Sequence, residues 1–253
     1  MWRLCTYETL ESTNLIVKEH LSQGEPEGCV VVSLKQEGGY GRQGRRWVSP
    51  AGGLYLSFGL RPNVSPPELS TLTLVVALAI HDVLSKLGYA ANVKWPNDIL
   101  LGKGKVCGIS CEAVAGAICI GIGLNVYKSK DQALISGKYN PAHLCPEVYV
   151  GSRRQIEFLE TCVAAVLNAF EARYKVWQQE GFAHVASYYQ DILAMKGSLV
   201  RIVTIANDTT AEGVVVGVDE SGRLLLELTS GVEAAADSTK KIIAVSSGEV
   251  HLL

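Results

Sequence analysis

Two short stretches carry the residue types that could do chemistry. The first is QEGGYGRQGRRW, Gln36 to Trp47, in which four glycines and three arginines fall within nine positions, Gly38 to Arg46. Glycines free the backbone to curl its N–H groups around an anion. Arginines add fixed charge and forked donors suited to phosphate or carboxylate. Trp47 supplies a flat face on which a base can stack. The second stretch is Lys94-Trp95-Pro96-Asn97-Asp98, followed by Lys105, Gly108 and Glu112. Trp95 precedes a proline and is pushed to an extended conformation, and a proline in a strand belongs at an edge or bulge. A strand is thus broken beside an amide and a carboxylate, and a hairpin returns Lys105 toward them. Each stretch alone has a bland alternative: a solvated turn with Trp47 packed into the core, or surface lysines in water. Together they describe a cationic cleft for an anionic ligand.

The glycine spacing Gly39-x-Gly41-x-x-Gly44 also spells a dinucleotide fingerprint, which needs a helix directly after the loop. Pro50, Gly52 and Gly53 follow instead, and no acidic residue stands about 20 positions on. A P-loop fails because Arg45-Arg46 occupy the Lys-Ser/Thr positions, which removes the hydroxyl for magnesium. The kinase signatures are absent from the chain.

The elements that must position these residues follow from pattern and turn chemistry. Ser12-Thr13-Asn14 precede an amphipathic run, Leu15 to Leu21, that reads as an N-capped helix. Cys29 to Leu34, Gly53 to Leu60 and Ala117 to Gly123 read as strands. Ser65-Pro66-Pro67-Glu68 has capping-box spacing and starts a helix to about Leu87. Asn92 to Leu101 reads as one strand carrying a proline, joined by a turn at Gly102-Lys103-Gly104 to a strand from Val106 to Glu112. Ser152-x-x-Gln155 opens a long helix closed by Gly181, and Phe182 to Leu193 forms a shorter one. Beyond Lys196-Gly197 short β-rich runs are parted by turn signals at Asn207-Asp208, Asp219 to Gly222 and Ser230-Gly231. The expected organisation is an α/β body, residues 1–195, with a small β-barrel over 196–253.

Bulk composition sets the context. With 253 residues the chain can bury a core without cross-links. Its 23 basic and 25 acidic residues argue against a general nucleic-acid coat, so any basic function is local. Seven cysteines lack Cys-x-x-Cys spacing and read as free, reduced thiols, mostly in the core, of a cytoplasmic protein. The opening Met1-Trp2-Arg3 leads into no signal-like apolar run, and Leu72 to Ile80 is too short to span a bilayer.

Four segments then carry a resemblance. ESTN (Glu11 to Asn14), GYGRQGRRW (Gly39 to Trp47), KWPNDILLGKGKVCGISCE (Lys94 to Glu112) and GIGLNV (Gly121 to Val126) resemble, in order and spacing, the motifs of biotin–protein ligases. The tail, with GVVVGVDESGRLLLEL (Gly213 to Leu228) and GEVHLL (Gly248 to Leu253), resembles that family's C-terminal domain. The resemblance implies an α+β fold: a mixed-sheet catalytic domain flanked by helices, class II synthetase-like, with a small SH3-like C-terminal barrel. It implies that biotin is activated by ATP, with Mg2+, as biotinyl-5′-AMP, and passed to a lysine of a biotin carboxyl carrier domain.

By the same resemblance, Ser12, Thr13, Asn14 and Gln36 would hold the biotin ring. Gly39, Tyr40, Gly41, Arg42, Gly108, Ile109 and Gly121 would line the biotin and acyl-phosphate region. Trp47 would stack on adenine, with Asn97 and Asn125 on the adenylate and Arg45 and Lys94 adding charge. Arg42 and Lys105 lead as catalytic cations; Asp98 would accept the attacking lysine's proton, or orient Lys94 or a metal-bound water. No residue is assigned as a protein-borne metal site. Tyr40 stands where many members carry arginine, which implies looser retention of the adenylate. Only eleven residues precede Ser12, so a ligase without operator binding is expected, with no DNA or membrane partner and a homodimer left open. Two alternatives stand beside it: a lipoate or octanoate ligase or transferase of the same fold, whose arginine-arginine-x-serine-glycine-glycine-glycine signature is absent, and a biotin-binding sensor without turnover.

Overall fold

The computed structural model describes residues 2–130, 141–203, 210–228 and 241–253. A seven-stranded mixed sheet forms its centre, in the order β1-β2-β3-β7-β6-β5-β4. The strands are β1 (Arg3–Leu10), β2 (Cys29–Gln36), β3 (Leu54–Leu60), β4 (Ala91–Lys94), β5 (Asp98–Leu101), β6 (Gly104–Val114) and β7 (Ala117–Leu124). Only β1 and β2 pair in parallel; the remaining neighbours are antiparallel.

Alternation along the strands gives this sheet two unlike faces. Leu54, Leu56, Phe58 and Leu60 of β3, with Ile118, Ile120, Ile122 and Leu124 of β7, belong to one large apolar core. That core is completed by α3 (Leu72–Lys86) and α4 (Arg153–Glu180). On the opposite face α1 (Thr13–Ser22) buries Val17 and Leu21 against Cys29, Val31 and Cys119. Beyond α1, that face carries small or polar residues: Ser57, Gly108, Ser110, Gly121 and Gly123.

The long helix α4 begins with the expected capping box between Ser152 and Gln155 and ends at Gly181, φ 72°. Arg173 grips Asp82 of α3 with two bonds of 2.8 and 3.0 Å. The helix expected from Ser65 to Leu87 is in fact two, α2 (Pro66–Leu69) and α3. They part at Thr71, whose hydroxyl bonds Glu68 O and accepts from Trp177 Nε1. Glu68 does not complete a capping box, because its carboxylate accepts from Phe182 N instead. The span Pro66–Lys86 is long and apolar enough to cross a bilayer by length and composition. Leu72, Val76, Leu78 and Leu84 within it are wholly buried in the core. The expected helix from Phe182 to Leu193 is a 3₁₀ turn, Ala183–Val185, followed by α5, Ala186–Asp191.

Two further corrections concern strands. Asn92 to Leu101 is not one strand: β4 and β5 form a tight hairpin, with Lys94 opposite Asp98 and a cis bond between Trp95 and Pro96 at its turn. The proline sits in the turn itself, where it removes no ladder hydrogen bond. β1 was not expected, because both its faces are exposed and apolar periodicity is therefore weak.

A separate antiparallel sheet has the order β11-β10-β9-β8-β12. It comprises β8 (Leu199–Val203), β9 (Thr210–Val218), β10 (Leu224–Leu228), β11 (Ile242–Val245) and the unexpected, four-residue β12 (Glu249–Leu252). The turn at Asp219 is built as expected, with Asp219 Oδ1 accepting from Ser221 N and Arg223 N. The signals at Asn207-Asp208 and Ser230-Gly231 lie outside the described residues. All seven cysteines are free, and Cys5 is exposed rather than in the core.

The two sheets share one apolar core, and among their links is a buried bond in which Trp95 Nε1 donates to Gly222 O at 2.9 Å. Trp95→Phe keeps the aromatic body and strands that carbonyl. Stability in urea is expected to fall by about 1–3 kcal/mol. A loss below about 0.5 kcal/mol would show that this bond is not a support between the sheets.

Candidate active site

A cavity of about 340 Å³ opens over the small-residue face of the large sheet. Its floor is β6 and β7, one wall is the 36–47 segment and another is the β4–β5 turn. Gly248 to His251, at the start of β12, complete the rim.

One end of the cavity is a polar recess at the N-terminus of α1. Ser12, Thr13 and Asn14 are all buried there. Gln36 Oε1 accepts from Thr13 N at 2.8 Å and from Thr13 Oγ1 at 3.1 Å. Gln36 Nε2 donates to Ser49 Oγ at 2.9 Å. Ser57 Oγ lies 2.6 Å from both Thr13 Oγ1 and Asn14 Oδ1. Asn14 Nδ2 donates to Ser110 Oγ and to Glu112 Oε1. Gly121 makes room for these groups. A Cβ there would stand 2.3 Å from Asn14 Oδ1 and 2.5 Å from Ser110 Oγ.

The glycine–arginine segment is not a bare loop but a small hairpin. Trp47 N donates to Gly39 O, and Gly41 N to Arg45 O. Arg45 N closes the turn on Arg42 O. Gln43 and Gly44 at its tip have φ of 60° and 69°, the two positive angles of a type I′ hairpin turn. Gly39 does not line the cavity. It is a packing position, where a Cβ would stand 2.4 Å from Ser49 Oγ and 2.6 Å from Trp47 O.

The other end of the cavity gathers charge. Arg42 Nη1 donates to Asn97 Oδ1 at 3.0 Å. Asn97 is itself fixed, with Nδ2 on Ile109 O at 2.9 Å. Burial pulls the Arg42 pKa below that of ordinary arginine, and Arg45 adds to this, while Asp98 opposes it; a guanidinium remains charged throughout. Lys105 Nζ pairs with Asp98 Oδ1 at 2.6 Å and lies 5.0 Å from the ring centroid of Trp47. Trp47 rests against Gly108 and Gly123, where added Cβ atoms would stand 3.0 and 2.4 Å from its ring. Its buried Nε1 has no hydrogen-bond partner among the described residues. Asn125 Nδ2 donates to Lys105 O at 3.2 Å. Lys94 is buried at the wall, and Arg45 forms an ion pair with Glu249 of β12.

Every other residue given a binding or catalytic role from the sequence lines this cavity, although Ile109 gives its side chain to the core and its carbonyl to Asn97, and Glu112 stands just outside the lining. Sequence reasoning missed Ser57, Ser110, Gly123 and Glu249 as neighbours of the site, and named Glu112 on the return strand without giving it a role. Period-2 alternation through Gly121 pointed to Gly123, and through Gly108 to Ser110. Nothing local pointed to Ser57 or Glu249. No group of three or more His, Cys, Asp or Glu side chains that could hold a metal occurs among the described residues.

The glycines separate into crowded and open positions. Gly121→Ala must displace buried polar groups and is expected to cost about 1–3 kcal/mol of stability. Gly44 has open space around its Cβ position and only a positive φ to resist substitution; Gly44→Ala is expected to cost about 1 kcal/mol. Denaturant melts should rank the two in that order. The reverse order would contradict the packing at the polar recess.

Comparison with known proteins identifies the family and the fold. Residues 6–126 match the model of the biotin/lipoate A/B protein ligase family, and residues 197–253 match the biotin protein ligase C-terminal domain. The biotin–[acetyl-CoA-carboxylase] ligase of Paracoccus denitrificans is 32% identical over 221 residues, 83% of this chain and 89% of that protein. The bifunctional ligase/repressor BirA of Bacillus spizizenii is 30% identical over 233 residues, 89% of this chain and 70% of that protein. The biotin protein ligase of Aquifex aeolicus, solved with biotin and ATP, shares the fold with a TM-score of 0.79 at 24% identity. That match covers 100% of this chain and 99% of the Aquifex chain. With both of its parts matched and two such relatives aligned across most of its length, the chain belongs to the biotin–protein ligase family.

Proposed function

We propose that this chain activates biotin with ATP and transfers it to a lysine of a biotin carboxyl carrier domain. The observation that carries this reading is the cavity's polarity: a neutral hydrogen-bonding recess at one end, and Arg42 and Lys105 at the other. A head group with matched donors and acceptors fits the first, and a carboxylate meeting a polyphosphate fits the second.

In the first step a biotin carboxylate oxygen attacks the α-phosphorus of ATP, and pyrophosphate leaves. Two anions must approach, so fixed cations offset their repulsion and stabilise the charge that grows on the phosphoryl oxygens. Lys105 serves here, turned into the cavity and held by Asp98. Arg42, held by Asn97, caps the acyl phosphate. Trp47 and Asn125 receive the nucleoside, and Ser12, Thr13, Asn14 and Gln36 receive the ureido ring. In the second step the carrier's lysine amine attacks the acyl carbon and AMP leaves. Asp98 is then the nearby carboxylate able to take the amine's proton. The hairpin from Gly39 to Trp47 shields the mixed anhydride from water.

Magnesium fits as an ion carried in on the polyphosphate. Asp98 and Glu249 are isolated carboxylates already in ion pairs, and such ions are commonly held by one or two carboxylates plus phosphate oxygens. Bound there, it would offset phosphate charge.

The polar recess also favours biotin over lipoate. A dithiolane ring offers no N–H or C=O to Thr13, Asn14 and Gln36, and a site built for hydrogen bonding strongly rejects an analogue that lacks those groups. Labelled biotin is expected to modify a carrier domain in the presence of ATP, and lipoate is not; transfer of lipoate alone would overturn the assignment. Lys105→Ala should slow pyrophosphate release about 10²-fold or more. A rate within about threefold of the parent would remove Lys105 from the chemistry. Arg42→Gly should leak reactive adenylate, seen as labelling of bystander lysines, and labelling confined to the carrier would contradict its capping role.

A further inference from the structure

Glu112 links the polar recess at the start of α1 to the glycine–arginine hairpin. It lies on β6, and its two carboxylate oxygens have different partners. Oε1 accepts from Asn14 Nδ2 at 2.9 Å, in the polar recess. Oε2 accepts from Lys18 Nζ at 2.9 Å and, at a longer 3.5 Å, from the hydroxyl of Tyr40 in the glycine–arginine hairpin. Lys18 Nζ also lies 5.3 Å from the Tyr40 ring centroid.

The chain of contacts continues on the other side of Asn14. Its Oδ1 accepts from Ser57 Oγ, which also touches Thr13 Oγ1. Thr13 leads to Gln36, and Gln36 to Ser49. Ser49 Oγ donates to Trp47 O at 3.1 Å, back on the hairpin. Both ends of the hairpin, Tyr40 and Trp47, are therefore tied into one polar circuit that runs through the wall of the recess.

We propose that Glu112, balanced by Lys18, is a positioning residue that couples occupancy of the head-group recess to closure of the hairpin, with Tyr40 as its latch. The role rests on the proposed function. A carboxylate suits it because each oxygen can serve a different element at the same time. An amide has one acceptor oxygen and would turn its N–H groups toward Asn14 or Lys18, both donors. Burial, with a smaller contribution from Glu112, raises the Tyr40 pKa against the opposing bond to Lys18, and a phenol is protonated at neutral pH. Burial works against the Lys18 charge, but bonds to Tyr40 and Glu112 outweigh it and hold its pKa above that of ordinary lysine.

The test uses the full chain loaded with ATP and biotin, and compares the parent with Tyr40→Phe, Glu112→Gln and the double variant. Retention of biotinyl-adenylate is read by rapid gel filtration. KM for biotin and kcat are read from pyrophosphate release, and thermal melting confirms that each variant folds. Tyr40→Phe is expected to speed adenylate release about fivefold and Glu112→Gln about tenfold. The double variant is expected to match Glu112→Gln alone, because both act along one path. In Glu112→Gln the KM for biotin should rise more than kcat falls. Adenylate release at the parental rate in Tyr40→Phe would overturn the latch, and independent, multiplying effects in the double variant would overturn the coupling. A parent that forms no adenylate would overturn the proposed function itself, and this role with it.

Discussion

Two cations that repel each other are brought into one cleft, and the rest of the site is arranged around making that tolerable. Asp98 takes Lys105 at 2.6 Å and Asn97 takes Arg42 at 3.0 Å, so adjacent residues of one turn hold both charges apart and in place. The turn is itself immobilised. Asn97 is pinned to Ile109 O, and Trp95, two residues earlier, is buried against the carbonyl of Gly222 in the second sheet. Charge that is fixed before substrate arrives need not reorganise when charge develops on a phosphoryl group. The C-terminal sheet thus contributes indirectly through Trp95 and directly through Glu249, which pairs with Arg45 of the hairpin.

Alternation supplies the space. In β3 and β7 every second residue is a large aliphatic or aromatic group that builds the core with α3 and α4. The intervening positions, Ser57, Gly121 and Gly123, are small, as are Gly108 and Ser110 of β6. A single period-2 pattern therefore stabilises one face by burial and leaves the other low enough for a ligand to lie on it. The crowding around Gly121 and Gly123 shows how little height remains.

The parts that were legible in the sequence share a local cause. The capping box at Ser152, the glycine stop at Gly181 and the apolar runs of β2, β3 and β7 are written in neighbouring residues, and the structure keeps them. The two motif segments were legible as a cationic cleft because their residue types are costly to place together without a ligand to hold. What failed depends on partners far along the chain. β1 pairs along β2 with both faces exposed, so it has little apolar pattern to read. The break between α2 and α3 follows from Thr71 receiving Trp177, more than a hundred positions away. Tyr40 looked like a lost cationic contact; its hydroxyl reaches Glu112, a residue named on the return strand whose partners only the fold reveals. Gly39 looked like a lining residue and is a packing one.

The central claim is that this cavity makes and keeps an acyl-adenylate. Native mass spectrometry of the chain after incubation with ATP, magnesium and biotin, without any carrier domain, tests it most directly. The account predicts a one-to-one complex heavier than the bare chain by the mass of biotinyl-AMP, formed only when both substrates are present and accompanied by one equivalent of pyrophosphate. A complex carrying intact ATP and biotin side by side, with no pyrophosphate released, would contradict it.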